Sequence, residues 1–474
     1  MQEHVMPIGP ATRLEDVHKT LSPEPLTRPD EFRAFYREEV NRLRGGDTVG
    51  RLELGLRRAH GGSPYKSFLM GHPGVGKSTE LTRLVQRVEP SFRAIRFSAT
   101  TELDPVAFKP FDVLLLMMAE AAERTAKAID LGGAGQPPSE ERLKEIWGWF
   151  ASEEKTISQA SSKALEVAGG MGGMPDSWWA KVLGLFGTLR GEVKYASVRE
   201  RTIVEYRLSR LSDLIEVTNR LLDECNEKMR RAARAEWLFI GEDFDKAGMP
   251  PGQIENLFLT YANVFKELRA HMVFTIPIEL GYARSAQLPF PSDRVLSIPD
   301  TPVFQPDHSA HHLGREAVSS ILRARVCPEL FAEAQMMRLI VASGGNLRDL
   351  FALVCHAADT ALLRKAEHDR IQRSDADAAI DALRTEYERR LGRSSYDRDD
   401  IPYESKADLL VRIYNQDQTA RIPDPALYSL LRARAVQEFD TTRWFGVHPL
   451  VVDVLTSQDR IPPSADGAVP GGTR

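Results

Sequence analysis

Eight residues, GHPGVGKS at 71–78, have the spacing of a phosphate cradle: Gly71, four residues, then Gly76, Lys77 and Ser78. Glycines let the main chain wrap closely around phosphate oxygens, and a following helix points its free N–H groups and positive dipole end at them. Lys77 would add a flexible point charge for the β and γ phosphates, and the short Ser78 hydroxyl suits Mg2+. The nucleotide contacts expected are Gly71, Pro73, Gly74, Val75, Gly76, Lys77, Ser78 and Thr79, with ATP and Mg2+ as cofactors. The plain alternative is a glycine turn before a helix, with a solvated lysine.

Such a loop needs a second strand that delivers a carboxylate toward the metal. The apolar run that ends in clustered acids is WLFIGEDFDK, Trp237 to Lys246, and it allows two registers. If WLFI is the whole strand, Gly241 stands where an aspartate is wanted and Glu242 is the catalytic acid. If the strand runs on through Gly241, Glu242 takes the metal position together with Ser78, and Asp243 and Asp245 follow. An acid cluster capping the next helix is the competing structural reading.

Two further positions belong to the same chemistry. Thr275 ends the run MVFT just before Pro277, where a hydroxyl could sense the γ-phosphate or the attacking water; threonine is also simply a good strand residue. Arg348 follows Asn346, an expected helix N-cap, and could reach phosphates by a forked contact; a pair with Asp349 or Glu333 is the alternative.

WLFIGEDFDK is similar to the strand-end signatures Asp-Asp-Leu-Asp-Arg and Asp-Gly-Leu-Asp-Lys of bacterial STAND and KAP-like P-loop ATPases, relatives of the AAA+ class. GKSTEL at 76–81 resembles their phosphate loop, HMVFTIPIEL their sensor strand, and SGGNLRDLFALVCHAADTA the lid helix that carries a sensor arginine. RWFGVHPLV resembles the end of their C-terminal module. The resemblance spans about residues 40–455. It implies the second register, with Glu242 at the family's first Asp and Asp243 or Asp245 positioning water; a Glu there reaches one methylene further than the family's Asp.

The elements that must hold these residues read as α/β. SFLM, FRAIRFSA, WLFI, MVFTI and RVLSI are strand-like and alternate with helical stretches, which implies a mostly parallel sheet covered on both faces. The expected architecture is a parallel-sheet P-loop NTPase domain of AAA+/ASCE type with a helical lid and a small winged-helix-like module. The boundaries read as a flexible arm over 1–30, the ATPase domain over 31–305, the lid over 306–400, the module over 401–458 and a disordered tail over 459–474. Inside the ATPase domain, about 128–198 is an insertion; its GGMGG and the apolar face of Trp178, Val182, Leu185 and Leu189 suggest a movable amphipathic part.

Bulk properties narrow the rest. The chain has 474 residues, a net charge of -5 and 27% charged residues, so there is no global argument for nucleic acid. Three scattered cysteines form neither a disulfide framework nor a metal-spaced set, and no apolar run spans a bilayer, which points to a cytoplasmic protein with no transmembrane segment. The three histidines of DHSAHHLG read as a polar loop before a helix. The expected function is a hydrolase: a magnesium-dependent AAA+/STAND-type ATPase switch, homo-oligomeric and acting with a separate effector protein, as the resemblance implies for bacterial antiviral defence or signalling. A DNA-engaged loader using the C-terminal module is one alternative, with DNA not favoured as a partner. A non-hydrolysing, nucleotide-stabilised scaffold is another.

Overall fold

The computed structural model describes residues 8–462 apart from 90, 128–136, 152–186, 188–189, 192, 247–248, 251, 365–369, 395–396, 398–399 and 440–443. The GGMGG run and the face of Trp178, Val182, Leu185 and Leu189 lie outside the described residues.

Helices α1 (Pro29–Phe35), α2 (Glu39–Leu43) and α3 (Thr48–Ala59) lead to strand β1 (Lys66–Met70). The phosphate loop follows, then α4 (Lys77–Val88), β2 (Phe92–Ser98), α5 (Pro110–Lys127), α6 (Leu211–Ala233), β3 (Glu236–Glu242), β4 (His271–Thr275) and β5 (Val295–Ser297). The five strands are parallel in the order β2-β3-β4-β1-β5, which places β4 between the loop strand and the acid strand.

Both sheet faces are covered, which is why the central strands read as nearly continuous apolar runs. Side chains alternate with period two. Leu69, Leu238, Ile240 and Val273 share a core with Leu52 and Leu56 of α3 and with Leu81 and Leu84 of α4. Phe68, Trp237, Phe239, Met272 and Phe274 share the opposite core with α5 and α6.

The helical region comprises α7 (His312–Arg323), α8 (Gln335–Ala342), α9 (Leu347–Leu363) and α10 (Arg373–Leu391). After it come α11 (Tyr403–Tyr414), α12 (Pro425–Ala433), the antiparallel hairpin β6 (Val436–Phe439) and β7 (Trp444–Val447), and α13 (Pro449–Ser457).

Two expectations are modified. The helical stretch between WLFI and MVFTI is not one helix but is broken into Gln253–Glu255, a π-helical turn at Asn256–Thr260 and Ala262–Glu267. The segment expected to be a flexible arm is packed from residue 11 onward: Ala11, Leu14, Val17 and Leu21 are buried in the main core. Ala11 donates its N–H to the Arg325 carbonyl (2.7 Å) and accepts from the Cys327 N–H (2.9 Å). Those four apolar positions recur every three to four residues, a helical signal that the surrounding polar and proline content obscured.

Candidate functional site

A cavity of about 930 Å3 opens where the C-terminal ends of β1, β3 and β4 meet the N-terminal segment and α9. Pro73 to Thr79, Glu242, Asp243, Asp245, Thr275 and Arg348 all line it, so the fold brings the expected site residues together; Gly71 lies just behind, at the end of β1.

The glycine loop is closed from above by α9. Asn346 caps this helix, its Oδ1 accepting the N–H groups of Arg348 (3.1 Å) and Asp349 (3.4 Å). Its amide nitrogen donates to the Pro73 carbonyl and to Asp300 Oδ1, both at 3.0 Å. Gly74, at φ +96°, has no room for a side chain: a Cβ there would lie 2.6 Å from the Arg348 Cβ. Asp300 also accepts from His72 Nδ1 at 2.8 Å. Burial alone would raise the Asp300 carboxyl, but His72, Asn346 and Arg44 hold it below the usual carboxylate range.

Lys77 donates to the carbonyls of Gly71 (2.7 Å) and His72 (2.9 Å) and pairs with Asp245 at 2.9 Å. Thr79, expected to face phosphate, accepts the Leu26 N–H at 3.2 Å and so anchors the N-terminal segment to α4. Arg44, buried, donates to the Val75 carbonyl at 2.9 Å from the same side.

Glu242 is the last residue of β3, one step beyond the Gly241–Phe274 pair, which puts it level with Thr275. A Cβ on Gly241 would come within 2.8 Å of the Phe274 ring and 2.9 Å of the Phe244 ring, so this position faces the aromatic core. Glycine there is a packing requirement. Asp243 follows at φ +66°, accepting from Ser98 Oγ at 2.6 Å and pairing with Lys246 at 3.0 Å. The Thr275 hydroxyl is buried and has no partner among the described residues.

Arg348 is exposed and makes no ion pair among the described residues. Asp349, its alternative partner, is committed elsewhere: it pairs with Arg434 at 2.9 Å and accepts from the Tyr387 hydroxyl at 2.6 Å.

A divalent cation fits this donor set. Ser78 and Glu242 line one cavity, and only one carboxylate oxygen of Glu242 is engaged, by Arg96 Nε at 2.7 Å. Among the described residues no group of three or more His, Cys, Asp or Glu is placed to hold a metal. Phosphate-linked Mg2+ needs only one or two carboxylates beside phosphates and water. Of the DHSAHHLG histidines, His311 caps α7 by accepting the Gly314 N–H (2.9 Å), and His308 stacks on Tyr414 at 3.9 Å. Sequence reading missed Arg44, Arg96, His72 and Asp300: His72 stands in the glycine loop at a position where the motif accepts any residue, and the other three lie in no local motif.

No family model and no curated protein matches the chain. Solved structures similar to it include the ORC1 protein of Aeropyrum pernix in complex with DNA, at 13% identity over 87% of this chain and 92% of that one, TM-score 0.36. Cdc6p from Pyrobaculum aerophilum aligns at 12% identity over 93% and 97%, TM-score 0.36. A Walker-type ATPase of Pyrococcus abyssi aligns at 16% over 92% and 99%, TM-score 0.37. The sheet order, with β4 inserted between the glycine-loop strand and the acid strand, decides the fold. The chain has a parallel-sheet P-loop NTPase fold. Among its described residues no helix is long and apolar enough to cross a membrane.

Proposed function

We propose that the chain binds ATP in this cavity and hydrolyses it. In this reading Lys77 meets the β and γ phosphates, Ser78 and Glu242 hold Mg2+, Asp243 and Asp245 orient water, and Thr275 and Arg348 read the γ-phosphate. The observation that carries it is the convergence on one cavity of Lys77, the strand-end acids, the Thr275 hydroxyl and Arg348, the last two without a hydrogen-bond or ion-pair partner, respectively, among the described residues. Bound Mg2+ would supply charge neutralisation at the phosphates.

We read the output as a nucleotide-driven switch or oligomerising regulator of AAA+/STAND type that acts with a separate effector protein, in defence or signalling. The test is calorimetric titration with ATP and ADP, together with native mass in each nucleotide. Nucleotide uptake with a change of mass between ATP and ADP supports the switch; no uptake by the native chain sinks the assignment.

A DNA-engaged role is kept as a second reading because of one feature. A cleft of about 690 Å3 on the other side of the loop is lined by Arg389, Arg390, Arg393 and Arg432. ATPase activity that rises with duplex DNA would favour it.

A further inference from the structure

We propose that Arg96 supplies at the strand-end acids part of the positive charge that a divalent cation would otherwise bring, so that ATP binding by this chain depends only weakly on Mg2+. This rests on the nucleotide-site reading above.

Arg96 lies in β2, at the margin of the sheet, and its guanidinium reaches across to two other elements. Nε donates to Glu242 Oε1 at 2.7 Å, Nη1 to Thr82 Oγ1 at 2.6 Å, and Nη2 to the Ser78 carbonyl at 3.4 Å. It therefore bridges the first turns of α4 and the end of β3, the two places from which the cation ligands Ser78 and Glu242 come. A planar, fixed fork of donors can make such a bridge; a lysine ammonium cannot match it. The pair is largely shielded, with the Arg96 and Glu242 side chains 28% and 11% exposed, so it is not a loose surface contact.

The other two acids are matched in the same way. Lys77 pairs with Asp245 at 2.9 Å and Lys246 with Asp243 at 3.0 Å. Three carboxylates, Glu242, Asp243 and Asp245, thus face three cations, Arg96, Lys246 and Lys77, and their formal charges sum to zero. A carboxylate cluster attracts a divalent ion through its net negative charge, and here that charge is already compensated by the chain. A divalent ion on the free oxygen of Glu242 would share that carboxylate with the Arg96 guanidinium, which leaves room for the ion but weakens its hold. The incoming triphosphate therefore meets acids whose charge is already cancelled, and needs less divalent cation to offset their repulsion.

The experiment is displacement by ATP of a fluorescent ATP analogue from the full chain, in excess Mg2+ and in excess EDTA. The native chain is expected to lose less than about tenfold in affinity when Mg2+ is removed. Arg96→Ala is expected to lose at least about a hundredfold. Arg96→Lys, which keeps the charge without the fork, should fall between, and it decides the matter if Arg96→Ala does not fold. Equal Mg2+ dependence in the native chain and either variant overturns the proposal, as does native binding that vanishes in EDTA but is present with Mg2+. No binding by the native chain in either condition overturns the nucleotide reading itself, and this proposal with it.

Discussion

Asn346 donates to the Pro73 carbonyl at 3.0 Å while its Oδ1 caps α9. One side chain therefore starts α9 and seats it on the glycine loop, and Arg348 projects from the same turn. We predict that Asn346→Ala lowers stability by about 1–2 kcal/mol through the lost cap and also weakens ATP binding. Asn346→Asp separates the effects, because it keeps the capping oxygen, loses the donor to Pro73 and places a second carboxylate beside Asp300. Thermal melts and ATP titrations of the two variants check this; unchanged ATP affinity in both would show that the lid contact does not matter for binding.

The strand-end acids are predicted to act in turnover more than in binding. The double variant Glu242→Gln, Asp243→Asn should abolish hydrolysis and spare ATP binding, measured by phosphate release and by titration. Full turnover would rule out their assigned roles.

Gly241 gives a structural counterpart. Because a Cβ there meets the Phe274 and Phe244 rings, Gly241→Asp should cost at least about 2 kcal/mol, the scale of overpacking plus a buried charge. A denaturant midpoint equal to that of the native chain would mean that this position tolerates an acid after all.

His448 predicts a pH dependence. Burial pushes its imidazole down to about 4, with Asp349 opposing and Arg434 assisting; Tyr387 stacks on it at 4.1 Å and the Ser343 carbonyl lies 3.3 Å from Nε2. Between about 6.5 and about 4 the unfolded chain binds a proton that the folded chain does not. Stability contributed by neutral His448 is therefore present above about pH 6.5 and is lost as pH falls toward about 4, by up to about 3 kcal/mol. His448→Gln should flatten the decline in urea midpoint between about pH 7 and about pH 5. Parallel declines in the two proteins would contradict this.

Much of the site was legible because its signals are local. The glycine loop, the strands on either side and the cap at Asn346 are each written in a few consecutive residues, and nearly continuous apolar runs placed β1, β3 and β4. Neighbouring residues alone left two registers open at Glu242. The direction of the Gly241 Cβ, fixed by Phe244 and Phe274, separates them geometrically. What stayed hidden is pairing at long range. Arg96 meets Glu242 across 146 positions of sequence, and His72 meets Asp300 across 228. An arginine in an amphipathic strand and a histidine in a glycine loop both look like solvated side chains until the sheet order sets their neighbours. The buried leader at residues 11–21 was missed for another reason: its helical turns are short and divided by polar residues, so composition outweighed spacing.

That leader is stitched at one end to the residues just after α7 and at the other, through Leu26 and Thr79, to α4. Residues of that same peptide, His18, Leu21 and Leu26, line the cavity. A substitution that frees either anchor therefore also alters one wall of the nucleotide cavity.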